Sequence, residues 1–157
     1  MNLAAIPAAC GELAPCGDTP PKGAWTVHTD GSCDPNPGPA GWGVVMDSPE
    51  GVRSETFGGL IRATNNQAEL MAVVEALRRI PDGAHVLVRS DSLIVIRCAL
   101  RLWERRAETL RELFAEFDRQ AGRMRRVDFQ WVRGHAGDPG NEQADGLALR
   151  GRWTVGH

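Results

Sequence analysis

Five residues carry side chains that can do chemistry and lie where such side chains are uncommon: Asp30, Glu69, Asp91, His135 and Asp145. Asp30 and Asp91 each end an apolar run typical of a buried strand, where a carboxylate is costly unless it is paired or bound to a metal ion. His135 lies in a glycine-flanked loop, and a mobile histidine can move a proton near neutral pH. Together these side chains predict a site for metal binding or proton transfer.

Each of these residues also has an ordinary interpretation. Asp30 can cap a turn, and Glu69 can be one of the acidic side chains that favour the start of a helix. Asp145 can lie on a solvated helix face, and His135 can simply be exposed in its loop. Taken singly, these interpretations stay open. It is the joint placement of all five residues that favours a site.

The apolar pattern predicts the elements that would hold these side chains. Alternating residues predict three strands joined by short turns, and therefore an antiparallel meander, at about 25–30, 41–46 and 53–59. Helical spacing predicts a helix that opens at Asn65 or Asn66 as its N-cap and ends before Pro81. The β-branched run at 85–90 predicts a strand buried on both faces.

The remaining predicted elements complete an α/β order. They are helices at about 92–100 and 107–120, with Gly122 as the C-cap of the second, a strand at 126–132 and a last helix at 141–150. The order of strands and helices predicts a five-stranded mixed sheet, an antiparallel meander plus parallel strands, with helices on both faces.

Length and composition predict one domain without a membrane anchor. We expect the domain at 24–151, a disordered tail at 1–23 and a short C-terminal tail at 152–157. The net charge of −2 provides no general cationic field, so a nucleic-acid partner would need a local basic patch. The four cysteines form no C-x-x-C pair, and no apolar run is long enough to span a bilayer. We therefore expect a cytoplasmic protein with no structural zinc and no membrane partner.

Four motifs within residues 25–150 resemble those of type 1 ribonuclease H, the bacterial-type endonuclease of RNA–DNA hybrids. They are T-D-G-S-C-x-x-N-P-G-P at 29–39, T-N-N-x-x-E-L at 64–70, S-D-S at 90–92 and G-H-A-G-x-P-x-N-E-x-x-D at 134–145. The resemblance implies a ribonuclease H-like fold. It also implies a monomeric enzyme that hydrolyses the RNA strand of the hybrid and leaves 5′-phosphate and 3′-hydroxyl ends.

The same resemblance implies roles for individual residues. Asp30, Glu69, Asp91 and Asp145 would bind two Mg²⁺ ions, for which Mn²⁺ can substitute, and His135 would assist proton transfer or product release. The residues that would contact the RNA strand are Ser32, Cys33, Asn36, Asn65 and Asn66. Arg62 and Thr64 would form a phosphate pocket for the DNA strand.

The chain departs from the enterobacterial form of this family in one respect that concerns binding. Too few residues separate Asp91 from His135 for the long basic protrusion of that form. Four residues, Arg101, Trp103, Arg105 and Arg106, either substitute for it or form a solvated face with glutamate partners, and both interpretations stay open.

Two other functions compete with hybrid cleavage. A catalytically silent hybrid-binding module is disfavoured because all four carboxylates and His135 are present. A resolvase or integrase relative is disfavoured by the T-N-N and G-H-A-G motifs.

Overall fold

A computed structural model describes residues 10–13, 20–134 and 137–156. Its strands are β1 Cys10–Leu13, β2 Trp25–Cys33, β3 Gly38–Asp47, β4 Arg53–Ala63, β5 His85–Ser90 and β6 Arg126–Trp131. Its helices are α1 Asn65–Arg78, α2 Leu93–Ala99, α3 Arg111–Arg123 and α4 Pro139–Val155, with a short 3₁₀ helix at Glu108–Leu110. None of these helices is both long and apolar enough to cross a bilayer.

The strands form one mixed sheet in the order β1-β6-β5-β2-β3-β4. β2, β3 and β4 form an antiparallel meander, whereas β2, β5, β6 and β1 pair in parallel. α1 lies on one face with α3 against it, and α4 crosses β2, β3 and β4 on the other face. Val44 and Val45, adjacent on β3, belong to the cores of these two opposite layers, as strand alternation requires.

The predicted fold class is confirmed, and the five predicted strands and the predicted helices are all present. β5 has the predicted bounds, and α2, predicted at about 92–100, is Leu93–Ala99 with Ser92 as its N-cap and Leu100 as its C-cap. β2 runs past its predicted end at Asp30, because Ser32 and Cys33 still pair with Gly41 and Ala40 of β3. Aspartate and glycine are poor strand formers, and here the cross-strand pairing outweighs that preference.

Several predicted helix ends need correction. The N-cap of α1 is Thr64 rather than Asn65 or Asn66, because Thr64 and Gln67 form a reciprocal capping box. α3 continues through Gly122 to Arg123. α4 is capped by Asp138 and runs to Val155, so the predicted C-terminal tail is wrong for residues 152–155.

The N-terminal tail prediction is also wrong for four residues. Cys10–Leu13 forms β1, which pairs in parallel with β6 and gives the sheet a sixth strand. Without β1, the outer backbone N–H and C=O groups of β6 would lie unpaired at an open sheet edge. Pairing with β1 gives these groups hydrogen-bond partners. The rest of that prediction, for residues 1–9 and 14–19, lies outside the described residues.

Candidate active site

Three carboxylates from three different elements converge at one edge of the sheet. Asp30 lies near the end of β2, Asp91 directly follows β5, and Glu69 is the fifth residue of α1. One carboxylate oxygen from each residue lies within 4.8 Å of the other two. Because β2 and β5 are parallel neighbours, their carboxyl ends meet at this edge, the usual position of ligands in open α/β sheets.

Asp145 reaches the same place from α4, the helix on the other face. It lines a cavity of about 310 Å³ together with Asp30, Glu69 and Asp91, and its carboxyl group contributes to the raised pKa of Asp30. Asp145 is half-buried. The four carboxylates predicted from the sequence therefore lie together, although they are spread over 115 residues of chain.

Two glycines allow this convergence, and sequence reasoning did not identify either of them as functional. A Cβ on Gly31 would lie 2.5 Å from the backbone nitrogen of Glu69, so the missing side chain lets α1 approach β2. A Cβ on Gly43 would lie 2.7 Å from the Leu147 Cβ of α4. The available signals are the glycine after Asp30 and the G-x-G spacing at 41–43, which are typical of close backbone approach.

Burial and mutual repulsion raise the pKa values of two of these carboxyl groups, Asp30 and Glu69. Burial, together with the charge of Asp91, raises the pKa of Asp30 to about 8. Burial and the charges of Asp30 and Asp91 raise the pKa of Glu69 well above its usual range, and the backbone N–H of Gly31 opposes this shift. Among the described residues, the buried Oε2 of Glu69 has no hydrogen-bond partner.

These features fit a divalent cation. Mg²⁺ prefers hard oxygen ligands, which the carboxylates supply. A cation would offset both the cost of burying the charges and their mutual repulsion. It would also provide a partner for the Oε2 atom of Glu69. The donor set of the site therefore agrees with divalent metal binding.

Two of the five predicted RNA-contacting residues line this cavity, and the other three lie at or just after the end of β2. Ser32 and Cys33 end β2, Asn36 is exposed in the following turn, and Asn65 and Asn66 line the carboxylate cavity. The Asn36 side chain accepts a hydrogen bond of 3.1 Å from the Asn65 backbone N–H, which ties the turn to α1. The thiol of Cys33 points inward, 3.1 Å from the carbonyl oxygen of Ala63.

The two residues of the predicted phosphate pocket, Arg62 and Thr64, have different surroundings in the structure. Arg62 is exposed at the end of β4 and lines a groove of about 420 Å³ that Arg78 and Arg119 share. Within the part of the chain that the structure describes, Arg62 has no hydrogen-bond or ion-pair partner. Thr64 does not line this groove, and its hydroxyl oxygen accepts the Gln67 N–H as the helix cap. Of these two residues, Arg62 is therefore the one whose side chain is available to bind a phosphate.

His135 lies outside the described residues. The residue before it, Gly134, lies against Asp91, since a Cβ at Gly134 would be 2.8 Å from the Asp91 Oδ2 atom. The loop that carries the predicted histidine therefore leaves β6 beside the carboxylates.

Arg105 is a structural residue, and its contacts argue against its replacing a basic protrusion. Its side chain is 12% exposed and donates to both carboxylate oxygens of Asp118, at 2.8 and 3.0 Å. It also donates to the carbonyl oxygens of Cys98 and Ala99, and its guanidinium lies over the ring of Phe114.

The other members of that set are more exposed. Arg101 shares Asp118, whereas Arg106 is 84% exposed and pairs with Glu104. Trp103 is 47% exposed, with the guanidinium of Arg97 4.7 Å from its ring centroid. For Arg106, the structure thus agrees with a solvated face that has a glutamate partner.

Comparison with known proteins places the chain in a family. The model of the RNase H family matches residues 22–152, and the chain belongs to this family. It is 44% identical over 137 residues to a ribonuclease H of Bordetella pertussis, and the match covers 80% of this chain and 86% of that protein.

Two further relatives extend the comparison. The chain is 42% identical over 136 residues to a ribonuclease H of Methylorubrum extorquens; the match covers 80% of this chain and spans only 59% of that longer protein. A crystal structure of LC11-RNase H1, isolated from compost and solved in complex with RNA/DNA hybrid, is 27% identical with a TM-score of 0.73. That likeness covers 85% of this chain and 99% of the other.

Proposed function

We propose that this protein is an endonuclease that hydrolyses the RNA strand of RNA–DNA hybrids and leaves 5′-phosphate and 3′-hydroxyl ends. The observation that carries the proposal is the convergence of Asp30, Glu69 and Asp91 within 4.8 Å, joined by Asp145, in a member of the RNase H family. The solved complex of LC11-RNase H1 with RNA/DNA hybrid supports the choice of substrate.

The four carboxylates would hold two Mg²⁺ ions, and Mn²⁺ can take the same oxygen ligands. Asp30 would contribute to both ions, Asp145 to one of them, and Glu69 and Asp91 to the other. Bound in this way, the cations supply the charge that stabilises the attacking and leaving oxygens of an in-line displacement at phosphorus.

The protein's own side chains position the substrate. Asn65 and Asn66 line the carboxylate cavity, and Asn36 is hydrogen-bonded to Asn65. These residues and Ser32 would contact the RNA strand and its 2′-hydroxyl groups, which distinguish RNA from DNA. Arg62 would bind a phosphate of the DNA strand and so set the register of the duplex. His135 would move a proton or assist product release.

The main test compares three duplexes of the same sequence: RNA–DNA hybrid, duplex DNA and duplex RNA, each incubated with the protein and Mg²⁺. We expect cleavage of the RNA strand of the hybrid alone, with 5′-phosphate ends, and no cleavage by the Asp30→Asn variant. Binding of the hybrid without cleavage would instead indicate a silent hybrid-binding module, and equal cleavage of duplex DNA would contradict the substrate class. The monomeric state and the cytoplasmic location stay predictions.

A further inference from the structure

Arg152, on the last turns of α4, contacts the strand that carries Asp30. Its Nη1 donates a hydrogen bond of 2.8 Å to the hydroxyl oxygen of Ser32, although 120 positions of chain separate the two residues. Arg152 lies beyond the four sequence motifs, and nothing in the resemblance gives it a role. The contact joins the C-terminal part of α4 to the residues that would meet the RNA strand.

Most of the hydrogen-bonding capacity of this guanidinium is unused. An arginine side chain has five N–H donors. Within residues 10–13, 20–134 and 137–156, Arg152 makes the single side-chain hydrogen bond to Ser32 and no ion pair. The half-buried side chain lines a cavity of about 190 Å³ that Asp34, in the turn after β2, and Pro39, at the start of β3, also line. Asp34 is exposed and forms no ion pair with Arg152 in this part of the chain.

Ser32 and Arg152 lie at a distance from the carboxylates that suits the phosphate next to the one at the carboxylates. Asp30 and Ser32 are two residues apart on β2, so their side chains lie on the same face about 7 Å apart along the strand. A polynucleotide that places one phosphate at the carboxylates therefore brings adjacent backbone to Ser32 and Arg152. Arginine is suited to such a contact because its planar guanidinium donates two hydrogen bonds to phosphate oxygens.

We infer that Arg152 is a substrate-binding residue that holds a phosphate of the RNA strand next to the one at the carboxylates. Its hydrogen bond to Ser32 occupies one acceptor position of that hydroxyl and leaves the Ser32 O–H able to donate to the RNA. This inference rests on the proposed function, since it assumes that the RNA strand passes over β2. The competing explanation is that Arg152 only ties α4 to β2.

Three variants separate these explanations. Arg152→Gln keeps a donor for Ser32 and removes the charge, whereas Arg152→Lys keeps the charge and loses the forked geometry. Arg150→Gln is the matched control, because it removes the same charge from the same helix. The Arg150 guanidinium lies 4.7 Å from the ring centroid of Phe57, over β4.

Steady-state cleavage of the hybrid is measured at several salt concentrations. For Arg152→Gln we expect KM to rise about fivefold, as for the loss of one partly exposed charge contact. The slope of log KM against log salt should fall by about one, as for the loss of one phosphate contact. The value of kcat should change less than KM. Arg152→Lys should keep the slope, and Arg150→Gln should keep both KM and the slope.

The inference is overturned if Arg152→Gln and Arg150→Gln give the same KM and the same salt slope, even where Arg152→Gln lowers Tm. If Arg152→Gln does not fold, Arg152→Lys with a wild-type KM would overturn the bidentate contact. Failure of the proposed function looks different, because the wild-type protein itself would then not cleave hybrid. In that event, direct titration of wild type and Arg152→Gln with hybrid still decides whether Arg152 binds nucleic acid.

Discussion

Gly43 lies directly opposite Asp30 in the pairing of β2 with β3, and the same glycine lies against the backbone of α4 on either side of Asp145. A Cβ at Gly43 would come within 2.7 Å of the Ala148 backbone nitrogen and of the Leu147 Cβ. The missing side chain of Gly43 therefore allows α4 to lie close to the sheet at the point where Asp30 and Asp145 must meet. Gly43 is a positioning residue for the carboxylate that α4 contributes.

Replacing Gly43 by alanine should displace α4 and with it Asp145. We expect a loss of roughly 1–3 kcal/mol in the free energy of unfolding, as for other overpacked sites. The Mg²⁺ concentration that gives half-maximal activity should also rise, because one carboxylate is moved away from the other three. Chemical denaturation and a Mg²⁺ titration of cleavage measure the two effects separately.

Gly122→Ala is the matched control for Gly43→Ala. A Cβ at Gly122 would meet nothing within 4 Å, and the residue lies inside α3. Alanine there should stabilise the protein by about 0.5–1 kcal/mol and leave the Mg²⁺ titration unchanged. A normal Mg²⁺ titration in Gly43→Ala would show that the glycine matters for packing alone.

Asp30→Asn should abolish cleavage and change how stability depends on pH. In the metal-free protein, the pKa of Asp30 is raised from 3.8 to about 8, so the folded state holds a proton that the unfolded state releases above about pH 4. The associated stability is fully present below pH 4 and is lost as pH rises towards 8. In a chelator, the Tm of Asp30→Asn should therefore exceed that of wild type at pH 8, and the difference should shrink at pH 5.

Two results would contradict this role of Asp30. Substantial Mg²⁺-dependent cleavage by Asp30→Asn would remove Asp30 from the site. A difference in Tm that is the same at pH 5 and pH 8 would show that the Asp30 carboxyl group is not held protonated in the folded metal-free protein.

Arg105→Ala should act on stability rather than on substrate binding. It removes both hydrogen bonds to Asp118, which is 20% exposed and keeps Arg101 as a partner, and also the hydrogen bonds to the carbonyl oxygens of Cys98 and Ala99. Losing these half-buried hydrogen bonds should cost roughly 1–3 kcal/mol, which thermal denaturation would detect. The slope of log KM against log salt should stay at the wild-type value, because Arg105 faces the protein interior.

Arg106→Ala provides the comparison for Arg105. Its side chain is 84% exposed and pairs only with the exposed Glu104 among the described residues, so the change in stability should stay within about 0.5 kcal/mol. If Arg105→Ala instead kept its Tm and flattened the salt dependence of KM, Arg105 would be a substrate contact after all.

Arg62→Ala should lower kcat as well as raise KM. A cation that fixes the DNA strand also sets where the RNA phosphate lies over the carboxylates, and misplacement at that point slows the chemical step. Steady-state kinetics with hybrid give both constants. Arg119→Ala is the control, because Arg119 lines the same groove but is paired with Glu116, and it should affect kcat little. Equal effects of the two variants would argue against a specific phosphate contact at Arg62.

Much of the fold could be predicted from local sequence pattern. The β-branched run of β5 and the capped start of α2 are each specified by a few neighbouring residues, and their predicted bounds agree with the structure. Asp30 and Asp91 stood out for the same reason, since a carboxylate at the end of an apolar strand is unusual within its own segment. Periodicity and turn residues act between residues that are close in the chain, so the sequence alone is enough to predict these elements.

The remaining features depend on residues that are distant in the chain. β1 exists because β6 offers a sheet edge to Cys10–Leu13, and Arg105 is structural because α3 presents Asp118 to it. The roles inferred for Gly43 and Arg152 depend on the direct packing of α4 on β2 and β3. The sequence determined most of the elements and which side chains could do chemistry. The tertiary structure decided which of them meet, because the distance between two packed elements is set by the side chains of both.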